Sequence, residues 1–116
     1  MPPNLPNPMQ MARALKQLQK FQEELQRLQQ ELAERTVEGS AGGGAVRAEM
    51  DGSLRLRSLR IDPSVVQAGD VEMLQDLVIA AVNEAMRQAR AMSEREMARL
   101  TSQLGLGGLP GMPPLG

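Results

Sequence analysis

The sequence contains no cysteine, histidine, tryptophan or tyrosine, and Phe21 is its lone aromatic residue. Each absence closes a class of function. Without cysteine there is no disulfide framework. Without cysteine and histidine together there is no Cys/His zinc site. Without histidine there is no imidazole acid or base and no Ser-His or Cys-His nucleophile pair. A core is still affordable, because 41% of the residues are hydrophobic, but it must be aliphatic and draws on nine methionines. No apolar run approaches the ~20 residues needed to cross a bilayer. The N-terminus lacks the basic and apolar regions of a secretory signal, so a cytoplasmic location without a membrane partner is expected.

What remains is 116 residues with 13 Lys+Arg against 14 Asp+Glu, a formal charge of -1. One small domain fits that length. A uniformly basic coat is ruled out, whereas a segregated basic patch is not, because a partner feels local potential rather than net charge.

Residues 1–8 read as a proline-rich flexible tail ending in Asn7-Pro8, a helix cap followed by a favoured first helical residue. Residues 9–34 contain neither glycine nor proline. Met11, Leu18, Leu25 and Leu32 alternate with Ala14, Phe21 and Leu28 as a heptad pattern, which predicts a long helix. At 1.5 Å per residue it spans roughly 40 Å, so its stripe needs a second subunit or another long helix. Packing against such a helix is the expected role of Leu18, Phe21, Leu25, Leu28 and Leu32.

Residues 36–40 read as a short strand and 41–44 as a glycine turn. The glycines lack the Lys-Ser/Thr and helix of a phosphate-binding loop. Residues 45–51 alternate, with Val46, Ala48 and Met50 on one face and Arg47, Glu49 and Asp51 on the other. Asp51-Gly52 signals a tight turn. Residues 54–61 alternate again until the parity slips at Ser58-Leu59, where a β-bulge would return Leu59 and Ile61 to the inward face. Asp62-Pro63 ends this meander. Asp70 caps a second long helix from Val71 to about Gln103, its first half apolar enough to pack on the sheet and its second half expected to project. Met73, Met86, Met92 and Met97 read as adaptable core and interface fillers. Residues 105–116 read as a disordered tail, leaving 9–104 as the single domain.

The segments Gly39–Val46, Met50-Asp-Gly52, Arg60–Ser64 and Asp70–Ala85, together with the Gln-rich opening helix and the Leu-Gly-Pro tail, resemble the YbaB/EbfC family of bacterial nucleoid-associated proteins. The resemblance spans essentially the whole chain. It implies an α+β fold with an α-β-β-β-α protomer, two long helices, a three-stranded antiparallel sheet and a tweezer-like homodimer. It also implies a DNA-binding role in the nucleoid that contributes to nucleoid organisation and gene regulation, with weak or no sequence preference.

The charge distribution supplies candidates for that role. Arg13, Lys16 and Lys20 precede the first acid, Glu23, and lie along one helical flank. Arg87, Arg90, Arg95 and Arg99 follow the acidic start of the last helix, with Glu94 and Glu96 partly offsetting them. Arg55, Arg57 and Arg60 form an acid-free stretch of the third strand. Solvated helix faces are the ordinary role of such residues. As a DNA-binding set, Arg13, Lys16, Lys20, Arg87, Arg90, Arg95 and Arg99 would meet the phosphates of double-stranded DNA, which positions a protein without reading bases. No catalytic residue, metal site, cofactor or small-molecule substrate is expected. Small domains are marginal and strand edges need cover, which favours an obligate homodimer. The alternative is a coiled-coil chaperone or scaffold resembling prefoldin subunits, gripping clients through Leu104, Leu106, Leu109 and Met112.

Overall fold

The structure is a computed structural model that describes residues 7–105. The element order is α1 (Pro8–Glu34), β1 (Thr36–Ala41), β2 (Val46–Asp51), β3 (Leu56–Ile61), α2 (Pro63–Gln67) and α3 (Val71–Gln103). This is the expected α+β order with one addition, the five-residue α2, which is too short to leave a periodic signal.

Each helix starts where its cap dictates. Asn7 Oδ1 accepts the Gln10 N–H at 2.7 Å, while Gln10 Oε1 accepts the Asn7 N–H at 3.3 Å, closing a capping box ahead of Pro8. Asp62 Oδ1 accepts from the Ser64 N–H and Oγ, both at 2.9 Å, so this residue caps α2 as well as ending β3. Asp70 Oδ1 accepts the Met73 N–H at 2.9 Å and opens α3.

The sheet is antiparallel in the order β1-β2-β3. Gly42, Gly43 and Gly44 all have positive φ and form the first turn, a conformation that costs glycine nothing. α3 lies across β1 and β2. Val46, Ala48 and Met50 of β2 pack against Ala81, Ala85 and Ala89 of α3, with Val37, Ala41, Leu77, Val82 and Met86 around them. The alanines recur every fourth residue, so they share one helical face. Their small size lets the helix approach until a Cβ on Gly39 would fall 2.1 Å from Ala85 N.

The second half of α3 does not project alone. It runs back along α1, burying Leu28, Leu32, Met92 and Leu100 with Phe21 and Leu25 beside them. The covering helix for the heptad seam is therefore α3 of the same chain. The pairing ends where Gln17 Nε2 donates to Leu104 O at 3.3 Å; Leu18 at that end and Met11 and Leu15 beyond it are exposed. The two helices form a single arm, and the molecule measures 78 × 24 × 19 Å.

The third strand departs from expectation in three ways. It starts at Leu56, because Leu54 sits in the preceding turn at φ 67°. The irregularity lies at Arg57 rather than Ser58-Leu59: Glu49 pairs with Ser58 and Met50 with Leu56, leaving Arg57 as the extra residue. Finally, the inward face is restored in register but covered only at Ile61, which packs against the β2–α3 core. Leu56 remains 46% exposed and Leu59 38%.

Candidate nucleic-acid interface

Arg13, Lys16 and Lys20 are all exposed on α1. Their i, i+3, i+7 spacing keeps them on one flank, roughly a third of a turn from the Phe21–Leu25–Leu28 seam. Because α3 ends beside Gln17, Arg13 and Lys16 stand at and beyond the end of the helix pair. Among the described residues none of the three makes an ion pair. Lys16 and Lys20 line a shallow groove with Gln17, Gln19, Glu23 and Glu24, so the acids begin on its inner end.

The cations of α3 are placed differently. Arg87 Nη2 lies 2.6 Å from Glu84 Oε2. Gln88 donates to the Glu84 carboxylate and, with the Arg87 charge, holds its carboxyl below the usual range. Arg99 Nη1 lies 3.5 Å from Glu96 Oε2, and Glu96 Oε1 also takes Arg35 Nη1 at 3.3 Å. Arg90 and Arg95 make no ion pair among the described residues, but five residues of helix rotate them about 140° apart. The seven predicted residues therefore do not form one surface. Arg99 lies in the groove with Leu28 and Glu31 of α1, and Arg13 is fifteen residues further along that helix, or roughly 22 Å.

The acid-free stretch of β3 also divides. Arg55 is an exposed turn residue, Arg60 lies on the outer sheet face, and Arg57 is structural. Arg57 Nε donates to Asp51 Oδ2 at 2.7 Å and its Nη2 donates to Ala33 O at 2.8 Å. The Asp51 side chain is fully buried. Its Oδ1 accepts from Ser53 Oγ at 2.6 Å, Ser53 N–H at 2.8 Å and Arg55 N–H at 3.1 Å. The Ser53 hydroxyl leads in holding this carboxyl far below the ordinary range; burial opposes it, and the Arg55 amide, Arg57 guanidinium and Ser53 amide add to it. Next to it the Gly52 N–H donates to Leu32 O at 2.8 Å, and Gly52 O accepts Ser93 Oγ at 3.1 Å. The β2–β3 turn thereby fastens both arm helices to the sheet. The sequence pattern marks Asp51 only as a turn residue. The Asp-Gly-Ser spacing signals the turn, but not the burial.

Leu104, placed by the chaperone reading in an exposed grip, packs partly buried against the arm cluster. Leu106, Leu109, Met112 and most of both tails lie outside the described residues. Among the described residues there is no group of three acids able to hold a metal ion, and no helix is long and apolar enough to cross a membrane.

The model of the YbaB/EbfC DNA-binding family matches residues 7–104. A nucleoid-associated protein of Acetivibrio thermocellus is 51% identical over 98 residues, covering 84% of this chain and 85% of that protein. A nucleoid-associated protein of Moorella thermoacetica is 52% identical over 98 residues, covering 84% and 94%. The crystal structure of an uncharacterized protein from Helicobacter pylori shares the fold with a TM-score of 0.66 at 20% identity, covering 83% of this chain and 98% of that one.

Proposed function

The chain belongs to the YbaB/EbfC DNA-binding family, and from that premise we propose that it is a nucleoid-associated protein that grips duplex DNA by its phosphates. The observation that carries this reading is the flank of α1, where Arg13, Lys16 and Lys20 are exposed and, among the described residues, free of ion pairs at the far end of a projecting arm. Cations so placed neutralise phosphates and release counterions, a contact indifferent to base order. Arg90 and Arg95 add charge further down the arm. Arg87 and Arg99 contribute less, because Glu84 and Glu96 already answer them. Binding of this kind places the protein in the nucleoid and affects DNA organisation and gene expression through occupancy rather than sequence choice.

The working unit is a homodimer that holds out two arms. What supports this is the apolar face of β3, where Leu56 and Leu59 are inward in register yet uncovered. A second copy placed against that strand buries them and protects the sheet edge.

Anisotropy titration of unrelated duplexes across salt concentrations tests the reading. Log affinity is expected to fall linearly with log salt, at about 0.9 per phosphate contacted. The triple variant Arg13→Ala, Lys16→Ala, Lys20→Ala is expected to bind every duplex more weakly and to lower the slope by up to about 3 per subunit. Unchanged binding in that variant removes the arm flank from the interface.

A further inference from the structure

On the sheet face turned away from α3, Arg47 of β2 and Arg60 of β3 are direct partners in the antiparallel register. Both are exposed. Like charges placed opposite each other across a ladder are unfavourable, so the pair does not serve folding. Nor is it well neutralised. Arg47 Nη1 is 3.6 Å from Glu38 Oε1, with both side chains 56% exposed, and Arg60 makes no ion pair among the described residues. Arg47 Nε donates to Gly44 O at 3.3 Å, which steadies its guanidinium beside the glycine turn.

The two arginines line one recess of about 270 Å³ with Gly44, Ala45, Ile61 and Asp62. Asp62 is the single acid there, and its Oδ1 is taken by the Ser64 N–H and hydroxyl. Gly44 keeps the rim open, since its φ is +93° and a Cβ on it would stand 3.1 Å from Arg47 Nη2.

We propose that Arg47 and Arg60 form a second phosphate-contact site, which takes a backbone phosphodiester of the nucleic acid on the body of the protein. Cross-strand partners hold their Cα atoms about 5 Å apart, close enough for two guanidinium forks to share one tetrahedral phosphate. The site rests on the DNA-binding reading above but not on the arm. A Cβ on Gly42 of the adjoining turn would stand 3.0 Å from Leu77 Cδ2, so the turn lies beside Leu77, and from Leu77 to the α3 cap at Leu104 is 27 residues, or roughly 40 Å. The site is thus at the opposite end of the molecule from Arg13 and Lys16. Substitutions at such separation are expected to act additively.

The test compares the full chain with three variants in the same salt series: Arg47→Ala with Arg60→Ala, Arg60→Glu alone, and the arm triple variant. The double variant is expected to weaken binding to unrelated duplexes alike and lower the salt slope by about 1 per subunit. Arg60→Glu is expected to weaken binding further while its thermal midpoint stays level or rises, because the new carboxylate faces Arg47. Weaker binding with undiminished stability separates a ligand contact from a folding defect. An arm variant with a flattened slope beside a double variant and an Arg60→Glu variant with wild-type binding overturns this site and leaves the DNA reading intact. A wild-type chain that binds no duplex at low salt overturns both.

Discussion

Arg57 Nε meets the buried Asp51 carboxylate at 2.7 Å, while the same guanidinium reaches Ala33 O at the end of α1. This ties the bulged residue of β3, the turn before it and the base of the arm into one unit. Because the folded state lowers the pKa of Asp51, the contribution is fully present above the unfolded value of 3.8 and is lost as pH falls through the lower folded value. Asp62 and Glu84, lowered by Ser64 and by Gln88 with Arg87 respectively, act in the same direction. With no histidine to titrate, the thermal midpoint is expected to be level between about pH 6 and 8 and to fall below about pH 4. Asp51→Asn is expected to lower the midpoint at pH 7 and flatten the acid limb. Calorimetry across pH reads both.

Gly39→Ala is expected to be severely destabilising. The added methyl would stand 2.1 Å from Ala85 N and 2.5 Å from Ala81 O, both backbone atoms that cannot step aside. The cost is expected to reach or pass the ~3 kcal/mol upper end of ordinary overpacking. Chemical denaturation measures it, and a loss under about 1 kcal/mol would contradict the close helix–strand approach.

Glu96→Gln is expected to raise DNA affinity and steepen its salt dependence. Glu96 faces both Arg35 and Arg99, so removing its charge takes the ion-pair partner from two guanidiniums. The slope is expected to grow by about 1 to 2 per subunit. The same titration of duplex DNA reads the change.

Leu59→Arg is expected to break the proposed dimer into monomers. The side chain is 38% exposed in the single chain, next to Leu56 at 46%, so a charge there costs little in one subunit and much in an interface. Sedimentation velocity at micromolar concentration checks this, with circular dichroism to confirm that the helices persist.

The pattern of the sequence located nearly every element, and the reasons for its failures are specific. Heptads name the apolar side of α1 through Leu18, Leu25 and Leu32, but periodicity does not say what covers a stripe. Here α3 doubles back to cover it from Leu32 to Phe21 and leaves Leu18, Leu15 and Met11 exposed. The parity slip in β3 was legible, yet its position was off by one residue because Arg57 turns toward Asp51 and Ala33, which lie far from it in the fold. The α2 helix was hidden by its length, although Asp62-Pro63-Ser64 carries its cap. For the interface, the sequence counted the cations correctly, but counting does not reveal which are answered. The i, i+3 acids Glu84 and Glu96 were visible beside Arg87 and Arg99. The cross-strand meeting of Arg47 with Arg60 depends on register and was not.

Helix α3 runs from Val71 to Gln103 without a glycine or proline, serving first as the cover of the sheet and then as half of the arm. It acts as one beam, with no hinge between the domain and its protruding limb. In the homodimer proposed above, the span between the limbs would therefore be set where the subunits join, and a duplex of different girth would be met by rotating whole subunits rather than by bending either limb.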